Sequence, residues 1–223
     1  MNSIPFLPTK FLFSPRKVLE RFDDLRRKHG DNAVFSQAPF KPAREARAVA
    51  IFAIGLGKDS QREFWIGSPE KDPPDAWMVE LIRRPKGSSR SNFPIEVMEW
   101  ESNSPFNDIT EAIDNKLKRK NYLKNTILVV DVEKPNSPIR SMNVVNHFKS
   151  NRPNIAEIWL LCANASGLWP SDMNVRVFPQ QKAIHFDVHL EFRRLAAQRG
   201  VIDLRRGTKK GVDLPRMEEI ELP

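Results

Sequence analysis

The chain predicts an α/β sandwich in which a mixed central sheet is flanked by helices. Three observations carry that expectation. NTILVVDV at 125–132 is a near-continuous run of apolar, β-branched residues, as in a strand buried on both faces. Helix-patterned segments alternate with such runs through the second half, which implies parallel pairing with helices as cover. In the middle, three short strand-like stretches follow one another and read as a meander.

Taken in order, residues 1–13 are apolar and punctuated by proline, an extended arm on the body. Ser14 and Pro15 then supply an N-cap and a first-turn proline, and Gly30 a stop, for a helix over Pro15–His29 with Val18, Leu19, Phe22 and Leu25 on one face. A second helix is expected over 42–56. There Ala46, Val49, Ala50, Phe52 and Ala53 form a wide apolar stripe, and Gly55 and Gly57 are read as its end. Glu45, one turn before Val49, falls on or beside that stripe, an odd place for a solvated acid.

REFWIGS, AWMVELI and PIEVMEW are the three strands, joined by the proline-stiffened turn KDPPD and the polar loop RPKGSSRSN. Asp108 can cap a helix over 109–122, and NTILVVDV follows. Beyond it come a helix over 138–150, the strand EIWLLC and a strand around NVRVFP. Three segments are expected: an arm and helix at 1–40, the core at 41–180, and a basic extension at 181–223 carrying Arg193, Arg194, Arg199, Arg205, Arg206, Lys209 and Lys210.

The chain has 223 residues, 40% hydrophobic and 29% charged, enough for one generous domain and unlike a disordered chain. A net charge of +8 attracts polyanions at long range, which permits nucleic acid as a partner without requiring it. The lone Cys162 cannot form an internal disulfide, and a reducing cytoplasm is the natural compartment. No apolar run is long enough to span a membrane, and prolines and a lysine break the N-terminal apolar stretch. His185 and His189 in HFDVH are four apart, a metal-compatible spacing on a helix, yet no third ligand is placed to help them and the segment reads equally well as a strand.

FPIEVMEWES at 93–102 concentrates Glu96, Glu99 and Glu101 in one short strand of an otherwise basic chain. With Pro74-Asp75 at the mouth of the preceding strand, it offers carboxylates on adjacent strands. Hydrolysis of a phosphodiester assisted by Mg²⁺ needs one or two such hard oxygen ligands and a nearby cation.

The pattern of Pro74-Asp75, then Ile95-Glu96-Val97, after a helix bearing Glu45 and before a helix and a buried strand, resembles the PD-(D/E)xK nuclease superfamily over roughly residues 41–162. The resemblance implies the restriction-endonuclease-like three-layer sandwich and an endonuclease dependent on Mg²⁺ or Mn²⁺, with DNA the favoured substrate. It implies Asp75 and Glu96 as metal ligands and Glu45 as an outer or third acidic group. The chain departs from the family at Met98, where the motif lysine belongs. Lys116 is a candidate replacement, because it lies at i+7 from Ile109 and i+4 from Ala112 on the face that packs on the sheet. It can equally extend its ammonium to solvent. Lys120 is a reserve.

A shifted register would use Glu99 and Glu101, but in a regular strand Glu99 points opposite Glu96 and joins it only through a bulge. Two other readings stand beside the nuclease: an inactive module of the same fold that binds nucleic acid or protein, and a protein-interaction domain whose basicity is incidental. A homodimer, which many nucleases of this fold form to cut two strands, is left open.

Overall fold

The computed structural model describes residues 11–69, 74–84, 87–101, 103–118, 122–133, 139–162, 171–188, 190–191 and 200–203. The start of the arm, Lys120, His189 and the basic residues of the extension from Arg193 onward lie outside them.

Phe11–Phe13 forms β1, and Pro15–His29 forms α1. The Ser14 hydroxyl accepts the Lys17 amide at 3.1 Å, with Pro15 in the first turn as expected. Gly30 closes α1 at φ +82°, a conformation that favours glycine. A short helix α2 (Asp31–Ser36) and a single 3₁₀ turn (Ala38–Phe40) lead into α3 (Lys41–Ser60). Then come β2 (Phe64–Gly67), β3 (Ala76–Arg84) and β4 (Gly87–Trp100), a meander of antiparallel strands. The polar loop expected at 84–92 is largely drawn into a β3–β4 ribbon whose register runs from Ala76↔Ile95 to Arg84↔Gly87.

Helix α4 (Ile109–Lys118) begins where Asp108 accepts the Thr110 amide at 2.7 Å. It is shorter than the segment 109–122. Strand β5 (Ile127–Val132), helix α5 (Ser141–Ser150) and strand β6 (Glu157–Cys162) follow. β4, β5 and β6 are parallel, as a strand–helix–strand alternation requires. β7 (Ser171–Phe178) returns antiparallel and pairs with β8 (Lys182–Asp187). His185 therefore lies exposed on a strand, not on a helix.

Among the described residues nine strands form one mixed sheet in the order β8-β7-β6-β5-β4-β3-β2-β1-β9, where β9 is Val201–Asp203. Strands from all three expected segments share that sheet. β1 of the arm is held between β2 and β9 by antiparallel pairs such as Leu12↔Gly67 and Leu12↔Ile202.

Side-chain alternation gives the sheet two covered faces. Ile95, Val97, Val129, Trp159 and Leu161 face α3 and, behind it, α1. Trp100, Leu128, Val130, Leu160 and Val175 face α4 and α5 through Ile113, Val144, Val145 and Phe148. Each large apolar side chain so buried contributes about 1.5–3 kcal/mol relative to exposure.

α3 runs past both glycines that were read as its end, and at Gly55 it lies close against β7 and β8. A Cβ there would sit 2.4 Å from Asn174 Nδ2 and 2.5 Å from Phe186 Cε1. Asn174 is itself buried and donates to the Phe52 carbonyl at 3.2 Å, tying β7 to the middle of α3. Among the described residues no helix is long and apolar enough to cross a membrane.

Candidate functional site

Asp75 stands one residue before β3, where its amide bonds the Ile95 carbonyl at 3.0 Å. β3 diverges from β4 at this point, so the Val97 amide has no strand partner and donates to Asp75 Oδ2 at 2.8 Å. The carboxylate replaces the missing ladder bond and is pinned by it.

Glu96, the next residue back on β4, points to the opposite side of the strand from Val97, into the layer beneath α4, and its side chain is 0% exposed. Lys116, in the last turn of α4, reaches the same spot. Its Nζ lies 3.3 Å from Glu96 Oε2 and 3.7 Å from Asp75 Oδ2, and donates to the Val97 carbonyl at 2.9 Å. Tyr122 Oη bonds the Lys116 carbonyl at 2.8 Å and fixes the end of the helix. Three residues singled out from the sequence thus meet around one cation, and the ammonium is inside the structure, not in solvent.

Met98 shares the face of Glu96 and packs, partly buried, against the helix layer. The apolar side chain fills the strand position while Lys116 brings charge to the same region from the helix above.

The remaining acids are arranged differently. Glu45 projects from α3, 13% exposed, with Lys41 Nζ 3.1 Å from its carboxylate. Burial and the neighbouring charge of Asp75 push its carboxyl up to about 7, against the pull of Lys41. It therefore lies within electrostatic reach of Asp75 but on the α3 side of the sheet. Glu99 is not in the cluster. The β4–β5 register is unbroken from Ile95↔Ile127 to Trp100↔Val132, so no bulge turns it round. Its two oxygens are instead taken by Arg44, at 2.7 Å from Nε and 3.2 Å from Nη2.

Arg44 and Arg47 are functional-looking residues that sequence reasoning passed over. Arg44 also donates to the carbonyls of Val34 and Gln37, both at 3.1 Å, so that one guanidinium joins α2, α3 and β4. Its pKa is raised, because the hydrogen bond and charge of Glu99 outweigh the burial that works against it. Arg47 lies 3.4 Å from Asp131 and covers the rings of Phe22 and Phe35. Burial raises the Asp131 carboxyl, which Arg47 opposes, and burial beside Asp131 pushes Glu133 up to about 7. A visible signal existed: two arginines three apart among Ala43, Ala46 and Ala48 cannot both leave an apolar stripe that wide.

The donor set can be compared with the cation that the resemblance implies. Among the described residues no group of three or more His, Cys, Asp and Glu side chains could hold a metal ion. What converges is two carboxylates and the Val97 carbonyl, three hard oxygens around a positive charge. That chemistry fits Mg²⁺ or Mn²⁺, which take one or two carboxylates and keep waters, and does not fit zinc.

Beside Lys116 the surface opens into a cleft of about 480 Å³ between the end of β4, the start of α3 and α4. Lys41, Glu45, Met98, Phe106, Asn115 and Lys116 are among its walls. No protein-family model matches the chain, and no curated protein or solved structure matches it either.

Proposed function

We propose that this protein is a phosphodiester hydrolase of the restriction-endonuclease-like class, dependent on Mg²⁺ or Mn²⁺ and acting on nucleic acid, with DNA the favoured substrate. The observation that carries the reading is the convergence of Asp75, Glu96 and Lys116 on the Val97 carbonyl at the point where β3 and β4 part.

Asp75 and Glu96 would hold the metal, which supplies charge neutralisation at the phosphate and an acidified water. The rest belongs to the chain. The Val97 amide keeps Asp75 from rotating, and burial keeps Glu96 in one position. Lys116 is close enough to both carboxylates to share their site. With a phosphate bound there, its ammonium can face the negative charge that develops on the non-bridging oxygens or hold the attacking water in line. Lys41 and Glu45 stand at the cleft wall, where they shape approach from the α3 side.

The test is cleavage of plasmid DNA, linear duplex and RNA in Mg²⁺ or Mn²⁺ by wild type, Asp75→Asn, Glu96→Gln and Lys116→Met. Wild-type cleavage lost in all three variants is the expected result. No cleavage of any substrate, with no loss of Mn²⁺ affinity in Asp75→Asn, overturns the proposal.

One observation favours a second reading, a non-catalytic module that binds nucleic acid. Lys116 already neutralises both carboxylates, and Met98 removes the strand lysine. Salt-dependent binding without cleavage, and no gain of activity in Met98→Lys, would select it.

A further inference from the structure

The cleft beside Lys116 is lined by two kinds of residue with no part in the chemistry proposed above. Its apolar side is Met98, Trp100 and Phe106, of which Trp100 is 2% exposed and Phe106 only half-buried. Its polar side includes the amides of Asn103 and Asn115 and the carboxylate of Glu101.

That lining is wrong for a phosphate. Glu45, Glu99 and Glu101 all reach the cleft, and its two lysines are already paired, Lys41 with Glu45 at 3.1 Å and Lys116 with Glu96 at 3.3 Å. Glu99 is likewise held by Arg44, so an anion placed there meets Glu101 and, among the described lining residues, no unpaired cation. A flat, uncharged ring with amino and carbonyl groups on its edge meets what it needs: an aromatic and a thioether side chain for its faces, and amide and carboxylate groups for its edge. The volume is in the range that takes small ligands.

Resting on the nucleic-acid reading of the neighbouring site, we infer that this cleft seats one unpaired nucleobase of the strand whose phosphate lies at Asp75, Glu96 and Lys116, with Phe106 as its stacking partner. The two sites share Lys116, so the base and the phosphate belong to adjacent positions on one strand. A base paired in duplex has its faces covered by its neighbours and cannot enter without being unstacked. The preferred substrate is therefore single-stranded, or duplex with a frayed or displaced strand.

Binding of labelled mixed-sequence oligonucleotides, measured by fluorescence anisotropy with Ca²⁺ in place of Mg²⁺ so that the two carboxylates keep a hard cation, and with the probes checked to be uncut, tests this. The probes are single-stranded DNA, single-stranded RNA and blunt duplex DNA, and the proteins are wild type, Phe106→Leu and Phe106→Tyr. Leucine keeps apolar packing without a ring, tyrosine keeps the ring, and matched thermal unfolding confirms that all three fold. Wild type should bind at least one single strand more tightly than duplex. Phe106→Leu should weaken that binding about 5- to 150-fold, the range for loss of one stacking partner, without changing duplex binding, and Phe106→Tyr should keep it. Comparison of the two single strands assigns DNA or RNA. Phe106→Leu binding single strands as wild type does, or wild type preferring duplex, overturns the base-seat assignment and leaves the nuclease reading intact. Wild type binding no probe at all overturns both.

Discussion

Replacing Lys116 with methionine keeps a stem of similar length over the sheet and removes the ammonium alone. In the folded protein the Lys116 side chain is 20% exposed, and its ammonium faces the Glu96 side chain at 0% and that of Asp75 at 10%. Taking away one partner of a buried ion pair leaves an uncompensated charge, which costs about 3–5 kcal/mol. For a domain of this size each kcal/mol corresponds to roughly 2–4 °C of melting temperature, so the variant should melt about 6–20 °C lower. The second change, Glu96→Gln on the Lys116→Met background, removes the orphaned charge and should recover most of the loss. Mn²⁺ adds an independent arm. With the ammonium gone, two carboxylates and the Val97 carbonyl lack their cation, and added Mn²⁺ should raise the melting temperature of Lys116→Met more than that of wild type. The stabilisation should grow by about 1.4 kcal/mol per tenfold concentration above Kd. Thermal and urea unfolding read all of these. A single variant within about 1 kcal/mol of wild type would refute the claim that Lys116 neutralises a buried charge. Equal Mn²⁺ shifts in both proteins would refute the claim that the Lys116 ammonium offsets the charge of the two carboxylates that would hold the metal.

Three further outcomes follow from the same structure. Gly55→Ala should lose about 1–3 kcal/mol in urea unfolding, because its methyl meets Asn174 and Phe186 at under 3 Å and either α3 or β7 must shift. Glu45 and Glu133 are both raised to about 7 from 4.5, so the folded state holds their protons more tightly than the unfolded chain. The stability they lend is complete below about 4.5 and is lost as pH rises through about 7. Unfolding midpoints across that window should fall with pH, less steeply in Glu133→Gln; a midpoint that climbs throughout rejects the assignment. Burial and the nearby Asp131 push the Cys162 thiol up to about 11, so alkylation by iodoacetamide at pH 8 should be far slower in the folded protein than in urea. Equal rates in both states would contradict it.

How much of this could be read from the chain depended on whether the signal was local. The start of α1 was legible because Ser14 and Pro15 act on the very next turn, and β5 because its burial on both faces leaves no polar residue until Asp131. Lys116 was legible as a matter of helix geometry, three residues sharing a face at fixed intervals. Failures came where the cause lies far away in sequence. β1 and β9 are three residues each and exist because they pair with one another across almost the whole chain, so neither carries a pattern of its own. Gly55 looks like a helix stop until β7 and β8 are known to press against it. β8 did carry an alternating pattern, yet its histidine spacing suggested a helix equally well. Among the acids of β4, Glu96 was distinguishable from Glu99 by strand alternation, but nothing in the sequence announced that Arg44 would claim Glu99.

The pairing of β1 with both β2 and β9 also bears on how the protein is made. A ribosome has released the first strand long before residues 201–203 exist, so β1 waits with one rim unsatisfied through nearly all of synthesis. β9, the last strand among the described residues, covers that rim and becomes the edge of the sheet in its turn. Shortening the chain before Val201 should therefore trade the β9 border for the β1 one, with the largely apolar Phe11, Leu12 and Phe13 uncovered, and such fragments should self-associate more readily than the full chain.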